Sequence, residues 1–218
     1  MRTRIAFIIM AVFAILIGLY PVTYFIIDRT FGLLKSKSTF LLNSVLWNIA
    51  FYMHIIFGGA ALLIGWVQFD SRLRKQRRTL HNLVRKIYVF SVLLSSFSGI
   101  YISFSATGGI IASAGFISLG SIWFYTTLRA YIEIKNKRFD RHSEMMIYSY
   151  SACLAAVTLR LWLPILVLLF QNFMTAYLVV AWLSWLPNLI AAFFIIKAVR
   201  KNKDKIAPET SSLLRAIV

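Results

Sequence analysis

Six apolar runs divide this chain, each long enough to cross a bilayer as a helix. They fall at residues 5–27, 46–67, 84–106, 109–133, 145–170 and 173–198. A helix rises ~1.5 Å per residue and needs about 20 such residues to span a hydrocarbon layer of ~30 Å. Lipid offers backbone N–H and C=O groups no partner, so runs of this length satisfy themselves as helices. The fold expected is all-α: a polytopic membrane protein of six transmembrane helices in one domain, residues 1–200. A polar tail, 201–218, follows on the cytoplasmic side and is expected to be loosely ordered. With 60% hydrophobic and only 14% charged residues, the composition excludes an ordinary water-soluble globule.

Charge placement sets the orientation. The net charge is +17, which in a soluble protein suggests nucleic acid; here the basic residues crowd into short connections between apolar runs. Twenty of the 24 Lys and Arg lie at the N-terminus, in Arg72 to Lys86, in Arg129 to Arg141 and in Lys197 to Arg215. The opposite side holds Arg29, Lys35 and Lys37. That imbalance places both termini in the cytoplasm, locates the protein in a cytoplasmic (inner) membrane with anionic lipids beside its basic face, and argues against nucleic acid as a partner. The first run, after Met-Arg-Thr-Arg, resembles a signal peptide but exceeds the usual ~7 to 15 apolar residues and has no small-residue cleavage site, so it reads as a retained span. Residues 105–109 and 171–172 read as tight outer turns, and the outer loop 28–45, with Phe31, Leu33, Leu34, Phe40 and Leu41, as a segment against the membrane surface.

Polar residues at helical spacing mark inward faces, because lipid gives a hydroxyl or imidazole nothing to bond. In the second span His54, Gly58, Ala61, Gly65 and Gln68 line one face. The bland reading is a close helix contact with one satisfied histidine; the sharper one is a ligand site. Ser91, Ser95, Gly99 and Ser103 form a small-residue ridge on the third span, read as packing alone. In the fifth, His142, Ser149, Cys153, Ala156 and Arg160 share a face, since the 18 residues from His142 to Arg160 make five turns at 3.6 residues each.

Arg160 is the basic residue placed inside a span. It stays charged at ordinary pH, at a cost of about 2.5–3.5 kcal/mol on insertion scales, and so requires compensation. Snorkelling toward the outer surface is one solution. Pro164 lacks a backbone N–H and so frees a carbonyl nearby as a local partner. Asp and Glu occur only in loops and at span ends, so a buried partner is a carbonyl, a hydroxyl, Tyr or an anionic ligand. His54 sits at a similar depth, and the two are expected to line one outer-half cavity that holds a polar or anionic group; either side chain facing lipid would refute this.

At the cytoplasmic face His81, Arg85 and Tyr88 share a side of the third span, and His142 opens the fifth. The bland reading is a solvated basic rim. The sharper one is b-type heme: iron ligated by His81 and His142, with Arg or Tyr on the propionates. That matches half of the b561-type cytochrome arrangement; the other half fails, since His54 has no histidine partner on the fourth span. Cys153, the only cysteine, permits no intramolecular disulfide. Three dispersed His disfavour zinc, and the HExxH pattern is absent.

His54 with Gly58-Gly59, Gly65 and Gln68-Phe69, then His81 and Lys86-Ile87-Tyr88, form one block. Arg141-His142, Met145 to Tyr148 and Thr158-Leu159-Arg160-Leu161 before Pro164 form a second. Together, over roughly 50–165, they resemble an uncharacterised family of bacterial multi-pass membrane proteins, a domain of unknown function. Asn82 and Val84 stand where that family's pattern has Arg and Gly. The resemblance implies a cytoplasmic-membrane location and no reaction. Two functions stay open: a membrane-embedded redox or heme-binding protein using its intrahelical histidines, or a non-catalytic binding or transport protein for a lipid or small anionic solute. The residues of interest for either are His54, His81, His142, Arg160, Gly58, Gln68, Arg85 and Tyr88.

Overall fold

Apolar composition leaves the helix as the only economical way to satisfy the backbone, and the structure follows. A computed structural model describes residues 2–27, 32–70, 73, 76 and 77–216; the expectations for Arg29, Phe31, Arg72, Arg74 and Lys75 fall outside these. Six helical segments are long and apolar enough to span a membrane: Ile5–Ile26, Val45–Phe69, Arg78–Ser103, Gly109–Lys135, Phe139–Phe170 and Phe173–Lys201. They are called the first to sixth spans. The protein is thus all-helical among the described residues.

The third span begins six residues before the expected start and the fifth begins six before its own. Hydropathy stops where charge begins, but the backbone ladder continues into the polar zone, so His81 and His142 stand in the first helical turns. The last helix likewise continues unbroken from Leu186 through Ala216. Helical backbone thus runs on into the tail after Lys201 and through Pro208.

Short turns set neighbours. Gly108 and Gly109 take φ of 98° and 65°, the left-handed region that favours glycine, and close the third-to-fourth hairpin. Gln171 at φ 51°, followed by Asn172 capping Thr175 N at 3.1 Å, closes the fifth-to-sixth. These turns and the segment 32–44 define what is called the distal end; the start of the first span and the end of the sixth lie at the opposite, proximal end. The first span packs on the second, the second on the third, the third on the fourth, and the fourth on Phe139–Cys153 of the fifth. The third is the hub, with 44% of its apolar window buried against 17% for the first.

The last two spans are interrupted in mid-membrane, at Leu154 and between Leu183 and Leu186. Pro187 contributes no N–H to the second break. Polar side chains bridge the gap: Thr158 Oγ1 donates to the Ser184 carbonyl. Asn188 Nδ2 donates to that same carbonyl at 3.1 Å and to Thr158 Oγ1 at 3.2 Å. Irregular backbone at this depth is tolerated because other helices satisfy it.

At the distal end, Leu34 does not lie out on the membrane surface with its neighbours. It is buried in a cluster with Tyr24 and Trp47, onto which Tyr20, Leu41 and Leu42 pack, whereas Phe40 is exposed as expected. Lys37 Nζ donates to the Ser105 carbonyl at 2.5 Å, and the Ser36 and Thr107 hydroxyls meet at 2.9 Å. The segment is therefore folded over the helix ends and fastened to the third-to-fourth turn.

Candidate functional site

Small residues on the second and third spans bring their backbones close, and this contact holds His54. Its Nδ1 is 2.9 Å from the Ser95 carbonyl. Ser95 Oγ in turn donates to the His54 carbonyl at 2.9 Å. With the serine proton spent there, the Nδ1–H of the imidazole donates to Ser95 and leaves Nε2 as the ring's open nitrogen. Gly99 makes room: a Cβ there would sit 2.7 Å from Nδ1. The ridge of Ser91, Ser95, Gly99 and Ser103 is buried, as its packing reading requires.

Arg160 lies across from this pair on the distal half of the fifth span. Its Nη1 donates to the Ala156 carbonyl at 2.8 Å, and the guanidinium carbon stands 4.5 Å from the centre of the Tyr20 ring. Ala156 precedes it by one turn, so the head folds back along its own helix onto a backbone carbonyl. The accepting carbonyl is not the one freed by Pro164, which belongs to Arg160 itself. Tyr24 and His54 are within electrostatic reach of the guanidinium. The structure thus brings His54 and Arg160 to one region at the meeting of the first, second and fifth spans. Among the described residues Arg160 has no carboxylate partner. Tyr20 and Tyr24 were not singled out in the sequence; the signal for them was two tyrosines one turn apart at the distal end of a span otherwise almost wholly apolar.

The rest of the second-span stripe packs proximally. A Cβ on Gly65 would stand 2.4 Å from the Tyr150 ring and 2.8 Å from Tyr88, and Gly58 faces Ser95 Oγ. Gln68 is buried, with Nε2 lacking a hydrogen-bond partner. Tyr88 is fully buried, its hydroxyl 2.8 Å from Ser149 Oγ; Ser149 is 2.6 Å from Thr127 Oγ1, which donates to the Trp123 carbonyl at 2.7 Å. Protons therefore run Tyr88 to Ser149 to Thr127 and stop on a carbonyl. Such a chain ties three spans together and relays nothing onward.

At the proximal rim His142 Nδ1 meets the Ala130 carbonyl at 2.8 Å, with Arg85 in electrostatic reach. His81 is half-buried in the first turns of the third span. Glu133 is 1% exposed, between Arg129 at 3.0 Å and Arg138 at 3.7 Å. Glu133 lies near the end of the fourth span, as expected of the acidic residues, yet it is enclosed there. The fourth span runs two residues further than its apolar stretch, which draws Glu133 inside, and the flanking arginines supply the counter-charge. Glu144, in the fifth span, is held by Arg200 through two bonds of 2.5 Å. Among the described residues no three His, Cys, Asp or Glu converge as a metal set.

The sequence carries the pattern of the family described as "Predicted membrane protein (DUF2306)", matched over residues 51–196. The chain belongs to that family. The DUF2306 region takes in the second through sixth spans almost entirely and holds His54, Ser95, His142 and Arg160, while Tyr20 and Tyr24 precede it. No curated protein and no solved structure matches the chain.

Proposed function

We propose that this membrane protein is a non-catalytic binding or transport protein that holds an anionic group at Arg160, with His54 beside it. One observation carries this reading: a guanidinium within a membrane span whose partners among the described residues are one carbonyl and one aromatic face. A bilayer-embedded arginine costs about 2.5–3.5 kcal/mol on insertion scales. A cation–π contact returns roughly 0.5–2 kcal/mol, and one hydrogen bond to a charged donor roughly 1.5–3 kcal/mol. Those terms explain why the residue is tolerated. They leave the remaining N–H donors of the fork without an acceptor among the described residues, and a planar fork of donors is what binds carboxylate and phosphate. The His54 imidazole, fixed by Ser95, offers Nε2 as a further contact.

The basic proximal end supports placing it in the cytoplasm, against anionic lipids, in a cytoplasmic membrane. The reading is tested by thermal unfolding of purified protein with a panel of carboxylates and phosphates, soluble and lipidic. At least one oxyanion is expected to raise the wild-type midpoint and to have no effect on Arg160→Gln. A panel without any Arg160-dependent shift overturns the reading.

A second reading, a redox protein with b-type heme on His81 and His142, draws on one contact. The His142 Nδ1–H bond to a carbonyl is how iron- and zinc-ligating histidines are commonly oriented, with Nε2 left as the ligand atom. Arg85 could pair with a propionate, but the Tyr88 hydroxyl is already engaged by Ser149. Bound heme would supply one-electron chemistry. A Soret band lost in both His81→Ala and His142→Ala would support it; colourless protein expressed with heme in excess would sink it.

A further inference from the structure

Two features of the Arg160 region bear on how anything reaches it. The first is the closed distal end. Leu34 and Tyr24 are 4% and 7% exposed in one cluster with Trp47, onto which Leu41 and Leu42 pack together with Tyr20 itself. Lys37 and Ser36 fasten the covering segment to the third-to-fourth turn. Among the described residues, Tyr20, over which the guanidinium sits, is thus covered on the distal side by an apolar roof.

The second is the open flank. Arg160 and Tyr20 are each only half-buried, and their chain neighbours face outward: Leu19 is 51% exposed, Leu161 43% and Trp162 39%. The cation therefore lies at the seam between the first and fifth spans, with the hydrocarbon of the bilayer alongside. Indole and tyrosine rings at such a seam suit the boundary between a polar head and an acyl chain.

We propose that the site takes the oxyanion head of a single lipid-like amphiphile, arriving sideways from the distal leaflet with its tail remaining in the bilayer against Leu161 and Trp162. This rests on the anion-binding reading of Arg160 and names its ligand class. An amphiphile's tail partitions into the bilayer and holds its head at the interface beside this seam, from which the guanidinium can draw it in, whereas a soluble anion has no such anchor.

Native mass spectrometry of the full chain in a non-ionic detergent, with five added probes, tests this. Oleate and phosphatidylglycerol carry head and tail; acetate and glycerol phosphate carry the head alone. Oleyl alcohol serves as a tail without charge. Retention of oleate or phosphatidylglycerol is expected, falling at least tenfold in Arg160→Gln, with no retention of acetate or glycerol phosphate and with oleyl alcohol indifferent to the substitution. Binding of the two soluble heads as tightly as their lipidic counterparts overturns the lateral route and leaves the anion site standing. Absence of Arg160-dependent binding by every probe removes both. If Arg160→Gln does not fold, Arg160→Lys and Tyr20→Leu replace it, and the head-versus-tail comparison on the wild type still decides the ligand class.

Discussion

The guanidinium carbon of Arg160 stands 4.5 Å from the centre of the Tyr20 ring and so links the fifth span to the first. The first span is the least buried of the six. Arg160 therefore has an architectural role beside any ligand. Tyr20→Leu is expected to lower stability by about 1–2 kcal/mol, the scale of a desolvated cation–π contact. Tyr20→Phe keeps the ring and should stay near wild type. Thermal unfolding in detergent measures both, and equal losses would show that the hydroxyl, not the ring, is what matters.

Gly65 leaves no space for even one carbon. Its missing Cβ would stand 2.4 Å from Tyr150 and 2.8 Å from Tyr88, and both rings are locked by their own contacts. Gly65→Ala is expected to cost about 1–3 kcal/mol through overpacking. Gly109, with nothing within 4 Å of its Cβ position, probes a different cost: there alanine meets backbone strain at φ 65° and no clash. A Gly65→Ala protein as stable as wild type would refute the packing account.

The directed chain from Tyr88 through Ser149 to Thr127 predicts non-additivity. Ser149→Ala strands the Tyr88 hydroxyl in a fully buried setting, at about 1–3 kcal/mol. Tyr88→Phe in the same protein removes the stranded donor, so the double variant should be no less stable than the sum of the singles implies, and measurably more. Strictly additive losses would mean that the hydroxyls do not act as a unit.

Lys37 makes the distal fastening sensitive to pH. Its burial lowers the ammonium pKa from 10.5 to about 8. Below pH 8 both folded and unfolded chains carry the proton, and the folded state bears the desolvation cost. Between about 8 and 10.5 the unfolded chain binds more protons than the folded one, so this group's contribution to stability rises with pH. The difference in melting midpoint between wild type and Lys37→Met should therefore shift in favour of wild type across that window. A flat difference would contradict the burial of Lys37.

Several features of the site were legible along the chain because helical spacing alone dictates them. Ser91, Ser95, Gly99 and Ser103 had to share a face, and in lipid that face had to turn inward. The lack of carboxylates near Arg160 required a carbonyl, hydroxyl, tyrosine or ligand as partner, and the first and third of these are found. Periodicity could not say which helix each face would meet. Ser95 was read as packing alone, yet it fixes the ring of His54, and the placing of Glu133 at a span end gave no sign that it is enclosed there. Tyr20 escaped notice because two tyrosines one turn apart at a span end fit an interfacial anchor as well as a partner for Arg160.

The sequence by itself determined that the backbone must close its hydrogen bonds in six membrane-crossing helices, because transfer of unpaired peptide groups into hydrocarbon costs several kcal/mol each and no other local structure avoids it over such lengths. Tertiary structure alone decided that the first, second and fifth spans converge on Arg160, that the distal segment roofs it, and that the last two spans break at matching depth. Lipid is as apolar as the helix surfaces, so hydrophobicity does not choose neighbours. That choice falls to the fit of small residues such as Gly65 and Gly99 against particular rings, which exists only once the helices are side by side.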